Sequence, residues 1–344
     1  MEVMMGKPAK DWAKDFNKTV YIPGQKQGHY ESFFLRANNP TEPQAFWIRY
    51  TIFSPNLKPE KAIGELWSVY FDGRKESHVA VKKEVPFINC SFSPSVLDVR
   101  VDTATLDSGK LVGEASTGRH DISWDMAYSG DSRPLFLLPI SMYSAGFPKA
   151  KALVPRPMAR FNGSLTVDGD RIEVRDWVGS QNHNWGSKHT DLYAWGQVAG
   201  FDNSPDSFLE VATARVKIGP LWTPSMTPIV LRHRGEEIAL NSVGQTLKAK
   251  GSFTYFDWRF ASGNDNMELE GRIWADRSKF AGLNYYNPPG GNKYCLNCKI
   301  ASCDLKITYK VGGRRGTSVL LTTGDRAAFE ILTDKSDHGI AVQV

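Results

Sequence analysis

Ser164–Val178 reads SLTVDGDRIEVRDWV, two runs of alternating apolar and polar residues joined by Asp168-Gly169. Asp-Gly between such runs marks a two-residue hairpin, because the tight turn that matches strand twist needs positive φ at both positions. Outward from this stretch the same period recurs. Ala45–Phe53 (AFWIRYTIF), Leu66–Phe71 and Leu97–Leu106 precede it, and Leu192–Phe201, Phe208–Ile218, Pro228–Leu240, Phe253–Phe260, Met267–Ala275 and Leu305–Val311 follow it. Helical periodicity is confined to about the first twenty residues. The chain is therefore expected to be all-β with minor helix, in two consecutive antiparallel units, residues 1–188 and 189–344. Barrels or sandwiches suit such strands, since closure removes exposed edges.

Composition agrees with a globular protein. The chain has 344 residues, 41% of them hydrophobic, with 30 Gly and 19 Pro, which excludes disorder and collagen-like structure. Lys and Arg number 42 against 37 Asp and Glu, a net charge of +5, and the basic residues are scattered, so no nucleic-acid partner is expected. Pro134–Phe147, the longest nearly uncharged apolar stretch, contains Pro139 and is shorter than the ~20 residues of a membrane-spanning helix. The opening MEVMMGKPAKDWAKDF has no apolar core before a cleavage site. These features suggest a cytoplasmic protein whose 4 cysteines stay reduced.

The segment richest in chemistry is Asp176–Gln197, DWVGSQNHNWGSKHTDLYAWGQ, on the proposed boundary between the units. Amide, imidazole and carboxyl groups among indoles are what a pocket needs to orient a largely apolar ligand; a polar turn with core indoles is the plainer alternative. In a regular strand Ile172, Val174, Asp176 and Val178 share a face, which sets Asp176 in an apolar row. Desolvation there would raise its pKa and make it a proton donor near neutral pH, whereas a loop-capping role would lower it. Carried through the motif, parity aligns positions 183, 185, 189, 191, 193, 195 and 197 on one side of the chain. His183 and His189 with Asp191 match no zinc spacing, and Cys295, Cys298 and Cys303 form an incomplete ligand set better read as packed thiols. No metal is expected. Val311–Thr317 (VGGRRGT) reads as a hairpin turn. In the first unit, His29, Glu31 and Phe33 share a face, as do Trp47, Arg49, Thr51 and Phe53, so an Arg49–Glu31 pair inside a barrel and a surface placement are both open. No nucleophile elbow, HExxH or dinucleotide fingerprint is present.

At these segments the sequence resembles the lipocalin-like family of carotenoid 1,2-hydratases (hydroxyneurosporene synthases) and their AttH-type relatives. The resemblance is carried by GHYESFFLRANNP with AFWIRYTIFSP, by VGSQNHNWG followed by YAWGQ, and by NYYNPPGGNKYCLNCKIA. It implies two tandem lipocalin-like (calycin-like) β-barrels, a ligand pocket near their junction, hydratase, isomerase, cyclase or pericyclase chemistry on polyene, prenyl or isoprenoid molecules, and no organic cofactor. Set against those demands, Asp176 or His183 would be the acid. Glu31, Gln181, Asn184, Trp185, His189, Tyr193, Trp195 and Gln197 would bind substrate or water. The implied partner is a hydrophobic small molecule, with at most transient membrane contact to collect it. A non-catalytic binder using the same pocket is the alternative.

Overall fold

The computed structural model describes residues 16–130 and 133–344, so most of the segment with helical periodicity lies outside the described residues. The first sheet contains β1 (His29–Asn38), β2 (Gln44–Ser54), β3 (Ile63–Asp72), β4 (Ser77–Pro86), β5 (Cys90–Phe92), β6 (Asp98–Val101), β7 (Ala104–Asp107), β8 (Lys110–Thr117), β9 (His120–Ser129), β10 (Leu135–Phe136), β11 (Ala150–Val167) and β12 (Asp170–Gly186). Its order is β4-β3-β2-β1-β12-β11-β9-β8-β7-β6-β5, with β10 added beside β11. The second sheet draws on β13 (Leu192–Phe201), β14 (Ser204–Arg215), β17 (Ile229–His233), β18 (Glu236–Leu240), β19 (Lys250–Phe253), β20 (Asp257–Gly263), β21 (Met267–Trp274), β22 (Ala281–Tyr286), β23 (Asn292–Val311) and β24 (Arg314–Thr333). Its order is β18-β17-β14-β13-β24-β23-β21-β20-β19, with β22 beside β23; β15 (Lys217–Ile218) and β16 (Leu221–Trp222) form a separate ribbon. A short α-helix, α1 (Val243–Lys248), starts at a Ser242–Gln245 capping box.

The protein is nearly all β: the first sheet is a nearly closed barrel and the second a half-barrel. Lys82 on β4 and Thr117 on β8 draw the first sheet together. The Lys82 N–H donates to the threonine hydroxyl at 2.8 Å, and that hydroxyl donates back to the Lys82 carbonyl at 2.9 Å. The turn at Asp168-Gly169 joins β11 to β12 with φ of 51° and 87°, as the hairpin reading requires. Gly312-Gly313 likewise joins β23 to β24.

Two expected strands are hairpins instead. Leu97–Leu106 folds back at Asp102 (φ 54°), pairing Val101 with Ala104, and Pro228–Leu240 folds back at Arg234-Gly235 (φ 52° and 80°). Each turns at a residue that takes positive φ inside an otherwise strand-like run.

The first barrel is filled by the inward faces of its strands, including Phe46, Ile48 and Tyr50 from β2 and Trp177 from β12. The opposite faces of β1, β2 and β3 are apolar as well. Phe34, Trp47, Trp67, Val69 and Phe71 belong to the core of the second unit. The units thus bury a common surface, and the candidate site lies within it.

Candidate functional site

A cavity of about 220 Å³ opens between the two sheets. Tyr30 and Phe34 of β1, Trp47 and Arg49 of β2, Asn184 at the end of β12, His189, Tyr193 and Trp195 around the start of β13, Tyr285 of β22 and Glu330 of β24 line it. The segment before β11 covers one side with Leu137, Met142 and Phe147. Lys151 holds that cover by donating to the carbonyls of Met142 and Ala145, and the Tyr143 hydroxyl donates to the Ala152 carbonyl.

Strand alternation decides which polar groups reach the cavity. His189 is stacked on Tyr30, with ring centroids 3.8 Å apart, and lies 5.7 Å from the Tyr285 ring. Burial, with the nearby charges of Arg49 and Lys293, pushes its pKa down to about 3, so its ring is neutral at ordinary pH. Arg49 is 5% exposed, and its guanidinium sits 4.4 Å over the face of Tyr285. Burial opposes its charge, but the surrounding Tyr285, Glu65, Cys295 and Glu330 hold its pKa above the ordinary arginine value. Glu330 accepts from Lys299 Nζ at 2.6 Å and Asn297 Nδ2 at 3.1 Å. The phenols of Tyr193 and Tyr285 are pushed well up by burial and stay protonated.

Behind Trp195 lies a buried polar clasp. Trp195 Nε1 donates to Glu210 Oε1 at 2.8 Å, and Gln197 Nε2 donates to Glu210 Oε2 at 2.7 Å and to Asn182 Oδ1 at 2.9 Å. Gln197 Oε1 in turn accepts from Arg36 Nε at 2.8 Å and Ser180 Oγ at 2.6 Å, which ties β1 and β12 of the first sheet to β13 of the second. Burial raises the Glu210 carboxyl to about 7, despite the bonds from Trp195 and Gln197 and the charge of Arg36.

Half of the residues expected at the site lie elsewhere. Asp176 is exposed, at φ 51°, and its N–H donates to Asn162 Oδ1 at 2.9 Å. The register between β11 and β12 passes from Gly163↔Val174 to Phe161↔Trp177, so Arg175 and Asp176 together oppose Asn162. This is a β-bulge, and it reverses the alternation beyond it. Asp176 is therefore not in an apolar row, and the acid role expected of it does not fit its position.

Beyond the bulge Gln181, His183 and Trp185 turn toward the first barrel's own interior and its entrance, away from the cavity. Gln181 exchanges amide bonds with Asn17 at 2.8 and 3.0 Å. His183 is fully buried against Phe33 (ring centroids 4.2 Å apart), with Nε2 2.9 Å from Glu31 Oε1 and Nδ1 2.8 Å from the Phe16 carbonyl. Trp185 lies over His183 and beside Tyr143. Glu31 also accepts from the Thr19 hydroxyl, the Val20 and Tyr21 N–H groups, and His29 Nε2. The Arg49–Glu31 pair does not form, because Glu31 faces the barrel interior and Arg49 the cavity.

A single parity cannot be carried from 183 to 197, since β12 and β13 belong to different sheets with a bend between them. Asn184, His189, Tyr193 and Trp195 do line the cavity, and Gln197 supports Trp195 from behind. His183 and His189 face different compartments and cannot share one ion. Burial pushes all three clustered thiols upward, and Cys295 Sγ points at Glu330.

The sequence reading missed Glu210, Glu330, Tyr285 and the destination of Arg49. The two carboxyls carried a usable signal: Glu210 shares its strand parity with Phe208, Ala212 and Ala214, and Glu330 with Ala328 and Leu332, each a carboxyl in an apolar row.

No family model and no curated protein matches this sequence. Solved structures do. An AttH-like protein from Nitrosomonas europaea superposes with a TM-score of 0.57 at 12% identity, covering 97% of this chain and 98% of that one. Kievitone hydratase from Nectria haematococca gives 0.54 at 11% identity, covering 95% and 93%. The chain shares their fold. Among the described residues, no helix is long and apolar enough to cross a membrane.

Proposed function

We propose that the chain binds a largely apolar small molecule, of polyene, prenyl or isoprenoid type, in the cavity between its barrels, and that it catalyses an acid-assisted hydration, isomerisation or cyclisation on it. The observation that carries this reading is the composition of one cavity. An apolar, aromatic wall is joined at one end to a buried cation, a neutral imidazole, phenols and a carboxylate, which together can orient a ligand and move a proton. The shared fold with a protein named a hydratase supports hydration as one of the reaction classes.

Those polar groups also bear on the chemistry. A neutral imidazole can hydrogen-bond a carbonyl without adding charge. The protonated phenols of Tyr193 and Tyr285 are the lining proton donors, and Glu330 is the lining carboxylate. A carbocation generated beside Arg49 and Lys299 would be repelled, whereas negative charge developing on oxygen would be stabilised. Proton shifts next to a carbonyl therefore suit the site better than protonation of an isolated double bond.

The test begins with mass spectrometry of the lipophile released when the purified protein is denatured, followed by incubation of that molecule with fresh protein. A mass gain of one water marks hydration, and an isomeric product marks isomerisation or cyclisation. An unchanged molecule would make the chain a carrier, and the absence of any bound lipophile, with no binding of added polyenes, would overturn the cavity reading.

A further inference from the structure

Arg36 and Arg49 stand on neighbouring strands, face the same inter-sheet layer and are 0% and 5% exposed. Their surroundings differ. Arg36 donates to Gln197 Oε1 at 2.8 Å, Gln197 O at 3.1 Å and Asn38 Oδ1 at 2.7 Å. Among the described residues, Arg49 Nε has no hydrogen-bond partner. The carboxylates nearest in its field are engaged elsewhere: Glu330 with Lys299 at 2.6 Å and Glu65 with Lys82 at 2.9 Å. The Tyr285 ring covers one face of the guanidinium and offers it no oxygen in plane.

The Trp47 indole is a second donor in the same position. It lines the cavity, is 1% exposed, and its Nε1 also lacks a partner among the described residues. Glu65 and Glu330 favour the Arg49 charge from a distance, but no carboxylate bonds the guanidinium directly, and buried donors are almost always satisfied. Arg49 Nε and Trp47 Nε1 are themselves sealed from the cavity, so what Arg49 offers an occupant on the lining is the outer edge of its guanidinium.

We infer that the occupant of the cavity is an apolar chain ending in a monoanionic oxygen group, such as a carboxylate or enolate, seated against the Arg49 guanidinium. This rests on the proposal that the cavity binds an apolar small molecule, and adds its head group. The neutral His189 beside Arg49 adds no charge of its own, so the guanidinium is the charged group the head group meets on that wall. The remaining lining, Phe34, Leu137, Met142, Phe147 and Val216, takes the chain.

Decanoate, decanol and decyltrimethylammonium share an alkyl chain and differ in head group, so they separate the two claims. Binding is read by quenching of tryptophan fluorescence at constant pH, with Trp195→Ala marking the signal that comes from the cavity. The expected ranking is decanoate tightest, by roughly tenfold over decanol, since charge-assisted bonds exceed neutral ones by about that margin, with the ammonium weakest. Arg49→Met should erase the preference while decanol still binds, and Arg49→Lys should restore part of it. Should Arg49→Met fail to fold, the wild-type ranking and the Arg49→Lys result still decide. Equal binding of decanoate and decanol to the wild type, or a preference that survives Arg49→Met, overturns the head-group inference and leaves the cavity reading intact. Binding of none of the three, or binding unaffected by Trp195→Ala, overturns the cavity reading and the inference with it.

Discussion

Glu31 shows how completely one carboxylate can be used for structure. Burial pushes its pKa up, but the hydrogen bonds and electrostatic attraction from His183 and His29 outweigh burial and bring it from 4.5 down to about 2. A carboxyl depressed in the folded state stabilises the fold above its unfolded pKa, and the contribution, roughly 3 kcal/mol, is lost as pH falls from about 4.5 toward 2. Hydrogen exchange of residues 16–21 at pH 6 and pH 3 should show this strap loosening in acid, and Glu31→Gln should loosen it already at pH 6. Asp176 makes the contrast. Exposed on its bulge, it should tolerate Asp176→Asn with a stability change within about 0.5 kcal/mol and unchanged turnover, read by denaturant midpoint and by assay on whatever substrate is found. The sequence showed that Asp176 and His183 were unusual, but not that an extra residue would push one to solvent and turn the other inward.

At the scale of elements, the close passage of β12 along β1 depends on Gly179. A Cβ built there would lie 1.7 Å from the Arg36 carbonyl oxygen and 2.6 Å from the Ala37 Cα, both backbone atoms that cannot swing aside. Gly179→Ala should therefore separate the strands, cutting soluble yield and thermal midpoint far more than Gly324→Ala, made where nothing lies within 4 Å of the added carbon. Most strands were legible because alternation and Asp-Gly or Gly-Gly turns are local signals. Leu97–Leu106 and Pro228–Leu240 were not read as hairpins because Asp102-Thr103 and Arg234-Gly235 are weaker turn marks than the Asp-Gly of the β11–β12 hairpin. The cover over the cavity was also hidden. Phe16, from the strap, meets Phe136 and Tyr143 edge-on, a contact between distant segments that no local pattern announces.

Across the whole molecule, Glu210 makes the joining of the two sheets sensitive to pH. Its carboxyl is raised from 4.5 to about 7, so the folded state favours its protonated form. The stability this provides is present below the unfolded pKa and is lost as pH rises through about 7. The thermal midpoint of the wild type should fall between pH 5 and pH 8, and Glu210→Gln, which cannot ionise, should flatten that fall even if the lost acceptor lowers both values. Melting curves at the two pH values check it. The placing of a site where two units meet was readable from the crowding of polar and aromatic residues in Asp176–Gln197. Its full walls were not, since Arg49, Tyr285 and Glu330 come from strands far apart in the chain.

The bulge at Asp176 also works as a phase setter. Past it, successive letters of GSQNHNW serve different clients: Gln181 and His183 address the strap and the barrel, while Asn182 and Asn184 address the clasp and the ligand. A saturation scan of positions 181–184 scored separately for abundance and for ligand binding should oscillate with a period of two: 181 and 183 govern how much protein survives, and 184 governs what the survivors hold. Deleting Asp176 would leave Arg175 alone opposite Asn162 and every later pairing in place, so the extra residue is what lets one strand keep its register while its reading frame apportions the motif between keeping the fold and serving the ligand.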